Sequence, residues 1–314
     1  MRRPELSVWL DPVFAEHEPG PDHIDDRWRI DAIDRRLRCL DAPFTLIGHA
    51  PRAERDELLL AHTPGYVDLV LGLHGRAASL DDETHLGPRS VEAALAAAGA
   101  AISAARASVE RPGHHLVACR PPGHHALPGR AMGYCVFANA ALAALAARSA
   151  GARRVAVLDL DVHHGNGTEA ILAPEPGTTT LSLHADGLFP PGSGAMSDPG
   201  PLRPDDAWNL PLPPAFDDEV WLAALRGPAT ARLRAVCPDL LVVAAGFDAH
   251  ADDAMSEARL TTAGFRAAFD HLADLAAELC DGRLVVVLEG GYDPASLADC
   301  VEQVVRSLSA TAPA

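Results

Sequence analysis

Residues 154–168 read RVAVLDLDVHHGNGT, an apolar run that ends in aspartates, paired histidines and an asparagine between two glycines. A β-branched run of this length without polar alternation marks a strand covered on both faces, as in parallel sheets. The polar residues crowd at its C-terminal end, where open α/β sheets bind their ligands.

Outward from this stretch the pattern recurs. Strand candidates LVAC (116–119), TTTLSLH (178–184), LLVVAAG (240–246) and LVVVLEG (284–290) are separated by Ala/Leu-rich helix candidates at 91–107, 137–149, 219–235, 262–279 and 295–309. Such alternation predicts a single α/β domain over residues 1–314, three layers deep, with a mainly parallel sheet between helices. Residues 1–89 are less legible, with a strand near Ser7 to Trp9 and helices near 27–40 and 52–61. The Pro/Gly-rich stretch from Phe189 to Pro214 is too long for an ordinary connector and reads as a functional surface loop.

The chain has 314 residues, 48% of them hydrophobic, enough for a large core. Its net charge of -17 argues against sequence-independent nucleic-acid binding and is suited to cationic small molecules or basic tails. Every basic residue is arginine, and no function is read from that. Six cysteines at 39, 119, 135, 237, 280 and 300 form no C-x-x-C pair, so they read as reduced thiols filling the core. No apolar run is long enough to span a bilayer and the N-terminus carries no signal-peptide pattern, so the expectation is a cytoplasmic protein without membrane partners.

Asp161 and His163, at i and i+2 on leaving the strand, face one side if the chain stays extended. With Asp248 after LLVVAAG they make three candidate metal ligands, leaving the fourth position that catalytic zinc requires. Two His-His pairs flank LVAC. His114 and His115 precede it and are expected on the surface at the opposite edge; His124 and His125 follow it and are candidates for general base and acid. Asp159 suits His124 as an orienting partner, and Asn166 suits His125. Gly290 and Gly291 would let the backbone swing close to substrate and bring the Tyr292 phenol over the site to stabilise an oxyanion.

RPPGHHA, GYCVFANAALAA, DLDVHHGNGTEAIL, LSLH, AGFDAH and LEGGYDP, in this order over residues 80–300, resemble the histone deacetylase and acetylpolyamine amidohydrolase superfamily. HHGNG, FPPGSG (189–194) and CDGRLVVVLEGGYDP (280–294) are in the style of its bacterial class II amidohydrolases. The resemblance implies an arginase-like fold, zinc on Asp161, His163 and Asp248, a His124–Asp159 pair with His125 beside it, and Tyr292 as oxyanion donor. It further implies potassium on Asp159, Asp161 and His163 with Ser182 and Leu183, and a substrate tunnel lined by Gly133 and Tyr134. Three departures stand out: Ala138 where the family has a second Asn, Pro190 near the place of the second tunnel aromatic, and a segment 200–214 without the usual Gly-rich stretch.

Zinc-dependent hydrolysis of an N-acetyl amide on lysine or a small amine is therefore the expected activity, with acetylpolyamine as the alternative substrate. The family's polyamine enzymes use a longer dimer-building loop with no obvious equivalent at 75–90, although a homo-oligomer remains compatible. Two other classes stay open, a binuclear-manganese ureohydrolase and a non-catalytic acyl-amine binding protein. The physiological acyl group and the choice of zinc or iron are not legible from residues, since affinity alone does not decide metal occupancy.

Overall fold

The computed structural model describes residues 4–196 and 207–309. Strands β1 (Leu6–Trp9), β2 (Thr45–Ile47), the two-residue β3 (Ala78–Ser79) and β4 (His85–Leu86), then β5 (His114–Val117), β6 (Val155–Asp159), β7 (Thr178–Ala185), β8 (Trp208–Leu212), β9 (Leu240–Ala245) and β10 (Leu284–Leu288) follow along the chain. Eight form one sheet in the order β2-β1-β5-β10-β9-β6-β7-β8, every neighbouring pair parallel. The hairpin β3-β4 stands apart and antiparallel.

The helices are α1 (Trp28–Arg38), α2 (Arg55–Leu58), α3 (Pro64–Gly72), α4 (Ser90–Glu110), α5 (Asn139–Ser149), α6 (Asn166–Leu172), α7 (Asp218–Ala224), α8 (Thr230–Val236), α9 (Thr262–Cys280) and α10 (Pro294–Ser309). Alanine-rich α4 and α5 pack on each other, while α1, α10 and α9 pack in series as a second group. Every residue of β5, β6, β7, β9 and β10 is buried, as expected of strands covered on both faces. No described helix is long and apolar enough to cross a membrane.

The chain lays down β5 and β6 first and later inserts β10 and β9 between them. Four adjacent strands, β5-β10-β9-β6, thus direct their C-terminal loops to one place.

Three expectations are corrected. The helix at 219–235 is interrupted by a π-helical segment, Leu225–Ala229, around Pro228, whose missing N–H cannot serve the helical ladder. The stretch from Phe189 to Pro214 contains strand β8 at the sheet edge; its central part, 197–206, lies outside the described residues, and with it residues 200–206 of the segment expected to lack a Gly-rich stretch. His114 and His115 belong to β5 itself and are only 1% and 7% exposed, because the strand begins two residues earlier than its apolar run. His114 Nδ1 lies 2.8 Å from the Leu308 carbonyl, and His115 Nδ1 accepts from Trp9 Nε1 at 3.4 Å.

Candidate active site

Asp159 closes β6, and the turn after it is braced by its own carboxylates. Asp159 Oδ1 accepts the Asp161 N–H at 3.1 Å, and Asp161 Oδ1 accepts the His163 N–H at 2.9 Å. The next loops lock onto the same side chains: Gly290 N–H donates to Asp161 Oδ2 at 2.9 Å, and Val162 N–H to Asp248 Oδ1 at 3.1 Å. His163 Nδ1 ends 3.0 Å from Asp161 Oδ1 and 3.2 Å from Asp248 Oδ2.

Asp161 and Asp248 are wholly buried, a costly arrangement for two carboxylates without compensation. Burial and then the Asp161 charge push the Asp248 carboxyl up to about 6, while its Oδ2 has no hydrogen-bond partner among the described residues. Burial would lower His163, yet Asp161 and Asp248 push it up to about 11. One donor atom from each of the three residues lies within 4.8 Å of the others. A Cβ on Gly290 would fall 2.1 Å from Asp248 Oδ2 and 2.6 Å from Asp161 Oδ2, so this backbone position admits no side chain. Two carboxylates, one of them with an oxygen that accepts no hydrogen bond, and an imidazole fit a divalent cation of the catalytic zinc type.

Beside this cluster the rings of the second His pair lie 3.9 Å apart between centroids, tilted by 39°. His124 Nδ1 lies 3.1 Å from Asp159 Oδ2 and its Nε2 3.8 Å from Asp161 Oδ1. His125 Nδ1 lies 2.7 Å from Asn166 Oδ1 at the start of α6. Their surroundings separate them. Burial disfavours the charge on both, but Asp161 and Asp159 push His124 up to about 10, whereas the neighbouring His124 and His163 join burial in holding His125 well below its ordinary value.

Two residues assigned no role from the sequence hold this pair by its backbone. Glu289 Oε2 accepts the Gly123 and His124 N–H groups at 2.6 and 3.0 Å, and Cys135 Sγ accepts the His125 N–H at 3.4 Å. With His124 they form a second group of donor atoms within 4.8 Å, in which Glu289 Oε1 has no hydrogen-bond partner among the described residues. Glu289 stood inside the LEGGYD motif, but nothing local showed that it reaches back to the β5 loop.

A cavity of about 110 Å³ opens over the His pair and His163, walled by Tyr134, Phe189, Met255 and Tyr292, with Glu83 at its mouth. Gly133 has φ +52°, and a Cβ there would come within 2.6 Å of His125 Cδ2. Tyr134 also has positive φ, 67°, unusual for a bulky residue; the His23 ring lies edge-on 4.7 Å away and the Tyr292 ring 6.0 Å away. Phe189 packs edge-on against His125 at 4.9 Å. The aromatic wall expected to be missing at Pro190 is therefore supplied one residue earlier. Glu83 is set by its hairpin, where Asp81 Oδ1 accepts the Glu83 and Thr84 N–H groups at 3.0 and 2.6 Å.

Half-buried Tyr292 lines the cavity beneath Arg29, whose guanidinium carbon lies 4.8 Å from the ring centroid. Burial keeps the phenol protonated, raising it well above its ordinary value despite Arg29. Arg29 Nε also donates to the Gly291 carbonyl at 2.6 Å, and a further N–H to that of Glu289. Gly290 and Gly291, expected against substrate, do not line the cavity; Gly290 abuts the carboxylates and Gly291 packs beside Phe247. Ala138, expected to strip polarity from behind the site, donates its N–H to His62 Nε2 at 3.0 Å, so a distant histidine supplies the polar partner. Parallel pairing sets Ser182 against Asp159, with Leu183 next on β7, and Ser182 Oγ lies 2.9 Å from His184 Nδ1.

Comparison with known proteins agrees with this geometry. The sequence pattern of the histone deacetylase domain matches residues 23–308. The histone deacetylase-like amidohydrolase of Pseudomonas aeruginosa is 40% identical over 264 residues, covering 83% of this chain and 70% of that protein. A probable deacetylase of Archaeoglobus fulgidus is 31% identical over 284 residues, covering 89% and 79%. The crystal structure of the HDA15 HD domain superposes with a TM-score of 0.88 at 30% identity, covering 97% of this chain and 89% of that one.

Proposed function

This chain belongs to the histone deacetylase family, and from that premise we propose that it hydrolyses N-acetyl amides of lysine side chains or small amines, using zinc, to acetate and the free amine. The observation that carries the reading is the three-residue cluster Asp161, His163 and Asp248, opening through His163 onto a narrow aromatic cavity, beside two closely packed histidines in opposite electrostatic settings. Asp161, His163 and Asp248 would hold the zinc, which supplies Lewis acidity to an amide carbonyl and to water.

The protein's own residues carry the proton traffic. His125, neutral and oriented by the Asn166 carbonyl, takes a proton from the attacking water. His124, held cationic by Asp159, returns one to the departing amine. The Tyr292 phenol donates to the oxyanion, while Tyr134, Phe189 and Met255 sheathe the acyl chain and exclude bulk water. The same reading assigns potassium to Asp159, Asp161, His163, Ser182 and Leu183, where it would steady the β6 turn.

Acetylpolyamines form the second reading, favoured by Glu83, a carboxylate on a cavity with no arginine among its described lining residues. The test is acetate release from an acetyl-lysine peptide, a trifluoroacetyl-lysine peptide and N-acetylputrescine, with and without chelator. Turnover abolished by chelation and restored by zinc is expected, the preferred substrate deciding between the readings. Two manganese ions per chain with urea release would replace this reading by a ureohydrolase. Zinc binding without any turnover would leave an acyl-amine binding protein.

A further inference from the structure

Tyr292 is the last side chain of a Gly-Gly turn, and its backbone N–H has a specific anchor that the deacetylase reading does not include. Asp253, 6% exposed and placed between the Asp248 loop and the cavity wall, accepts the Tyr292 N–H at 2.6 Å and the Asp293 N–H at 3.1 Å on Oδ2. Its Oδ1 accepts the Met255 N–H at 3.0 Å. One carboxylate thus ties the loop after β9, which carries Met255, to the loop after β10, which carries Tyr292.

We propose that Asp253 is a positioning residue that sets the Tyr292 phenol and the Met255 wall together, coupling the oxyanion donor to the width of the acyl channel. The proposal rests on the deacetylase reading. Both oxygens of the Asp253 carboxyl group accept here, matching three converging N–H groups; an amide in its place turns an NH₂ toward at least one of them. A displacement of about 1 Å in a catalytic group costs on the order of 10²-fold in rate. The other contacts of the turn, Arg29 to the Glu289 and Gly291 carbonyls and Gly290 N–H to Asp161, grip residues 289–291 and leave the Tyr292 N–H to Asp253.

The experiment is a double-mutant cycle in the zinc-loaded full chain. Tyr292→Phe is expected to lower kcat by about 10² to 10³, the usual loss for one oxyanion donor. Asp253→Asn should lower kcat by about 10-fold to 10²-fold with KM within about two-fold, and add less than about two-fold in the Tyr292→Phe background, because it acts through that phenol. Asp253→Asn, unlike Tyr292→Phe, should also shift the ratio of acetyl to bulkier acyl turnover through Met255. Equal losses in both backgrounds, or an unchanged kcat, would overturn the proposal, as would loss of bound zinc accounting for the effect. Hydrogen exchange of the Tyr292 and Asp293 amides tests the anchor without turnover, with faster exchange expected in Asp253→Asn and in Asp253→Ala; unchanged exchange would also overturn it. A wild-type chain that hydrolyses none of the substrates would instead defeat the deacetylase reading, leaving the exchange measurement to decide the anchor.

Discussion

At the residue scale, the candidate metal-ligand cluster depends on an atom that is absent. Gly290 lets the backbone N–H reach Asp161, and any Cβ would collide with both carboxylates. Those carboxylates are already pinned by the Asp161 turn and by Val162, so they cannot swing aside cheaply. Gly290→Ala is expected to cut bound zinc from one per chain to a small fraction, read by elemental analysis, while the circular dichroism spectrum stays native. Stoichiometric zinc in that variant would mean that the collision is relieved elsewhere. The residue scale also shows what local reading reaches: Asp161, His163, Asp248 and Tyr292 lie two to four residues past a strand end, and His124 and His125 in the loop after β5, so their motifs report their place on the sheet edge. Phe189, Met255 and Asp253 lie in such loops too, but what each does depends on what a different loop brings to it.

At the scale of elements, α1 is docked by a buried ionic cluster. Asp25 takes Arg29 NH1 at 2.8 Å and Arg120 Nε at 2.7 Å, and His17 Nε2 lies 3.5 Å away, all of them nearly inaccessible. Arg29 then bridges to the turn that carries Tyr292, and Arg120 leads into RPPGHH. Burial alone would raise the Asp25 carboxyl, but Arg120 and Arg29 hold it below its ordinary range, so its stabilising contribution is present above an unfolded value of about 3.9 and is lost as pH falls through the depressed folded value. His17 works in the same direction: burial lowers it to about 3, so the folded chain binds fewer protons than the unfolded one between there and about 6.5, and stability falls on acidification through that window. Asp25→Asn is expected to cost about 3–5 kcal/mol at pH 7 by leaving two buried arginines short of a counter-charge, the difference from wild type shrinking below about pH 4. Urea titrations of both proteins at pH 7 and at about pH 2.5, inside the window between the unfolded and folded values, measure it, and a constant difference would remove Asp25 ionisation as the cause.

At the scale of the whole molecule, a net charge of -17 accompanies a cavity lined by Glu83 and by no arginine among the described residues. Cationic substrates should be steered inward. kcat/KM for N-acetylputrescine is expected to fall several-fold as salt rises from about 0.01 to about 0.3 M, over which the Debye length contracts from about 30 Å to below about 10 Å. A neutral acetyl-lysine substrate with blocked termini should show little change; equal salt dependence for both would dismiss steering.

By itself the sequence determined the parallel sheet, because strands buried on both faces must be apolar throughout, and it singled out the candidate metal ligands and the second His pair, because their motifs follow strands locally. The two-residue shift at β5 that buries His114 and His115 was invisible, since polar side chains at a strand's start are recruited only by partners such as Trp9 and the Leu308 carbonyl. Only the tertiary structure decided that β10 and β9 enter between β5 and β6. That insertion sets Glu289 behind the His pair, Asp253 under Tyr292 and Gly290 against the carboxylates, contacts between loops far apart in sequence whose partners no local pattern can name.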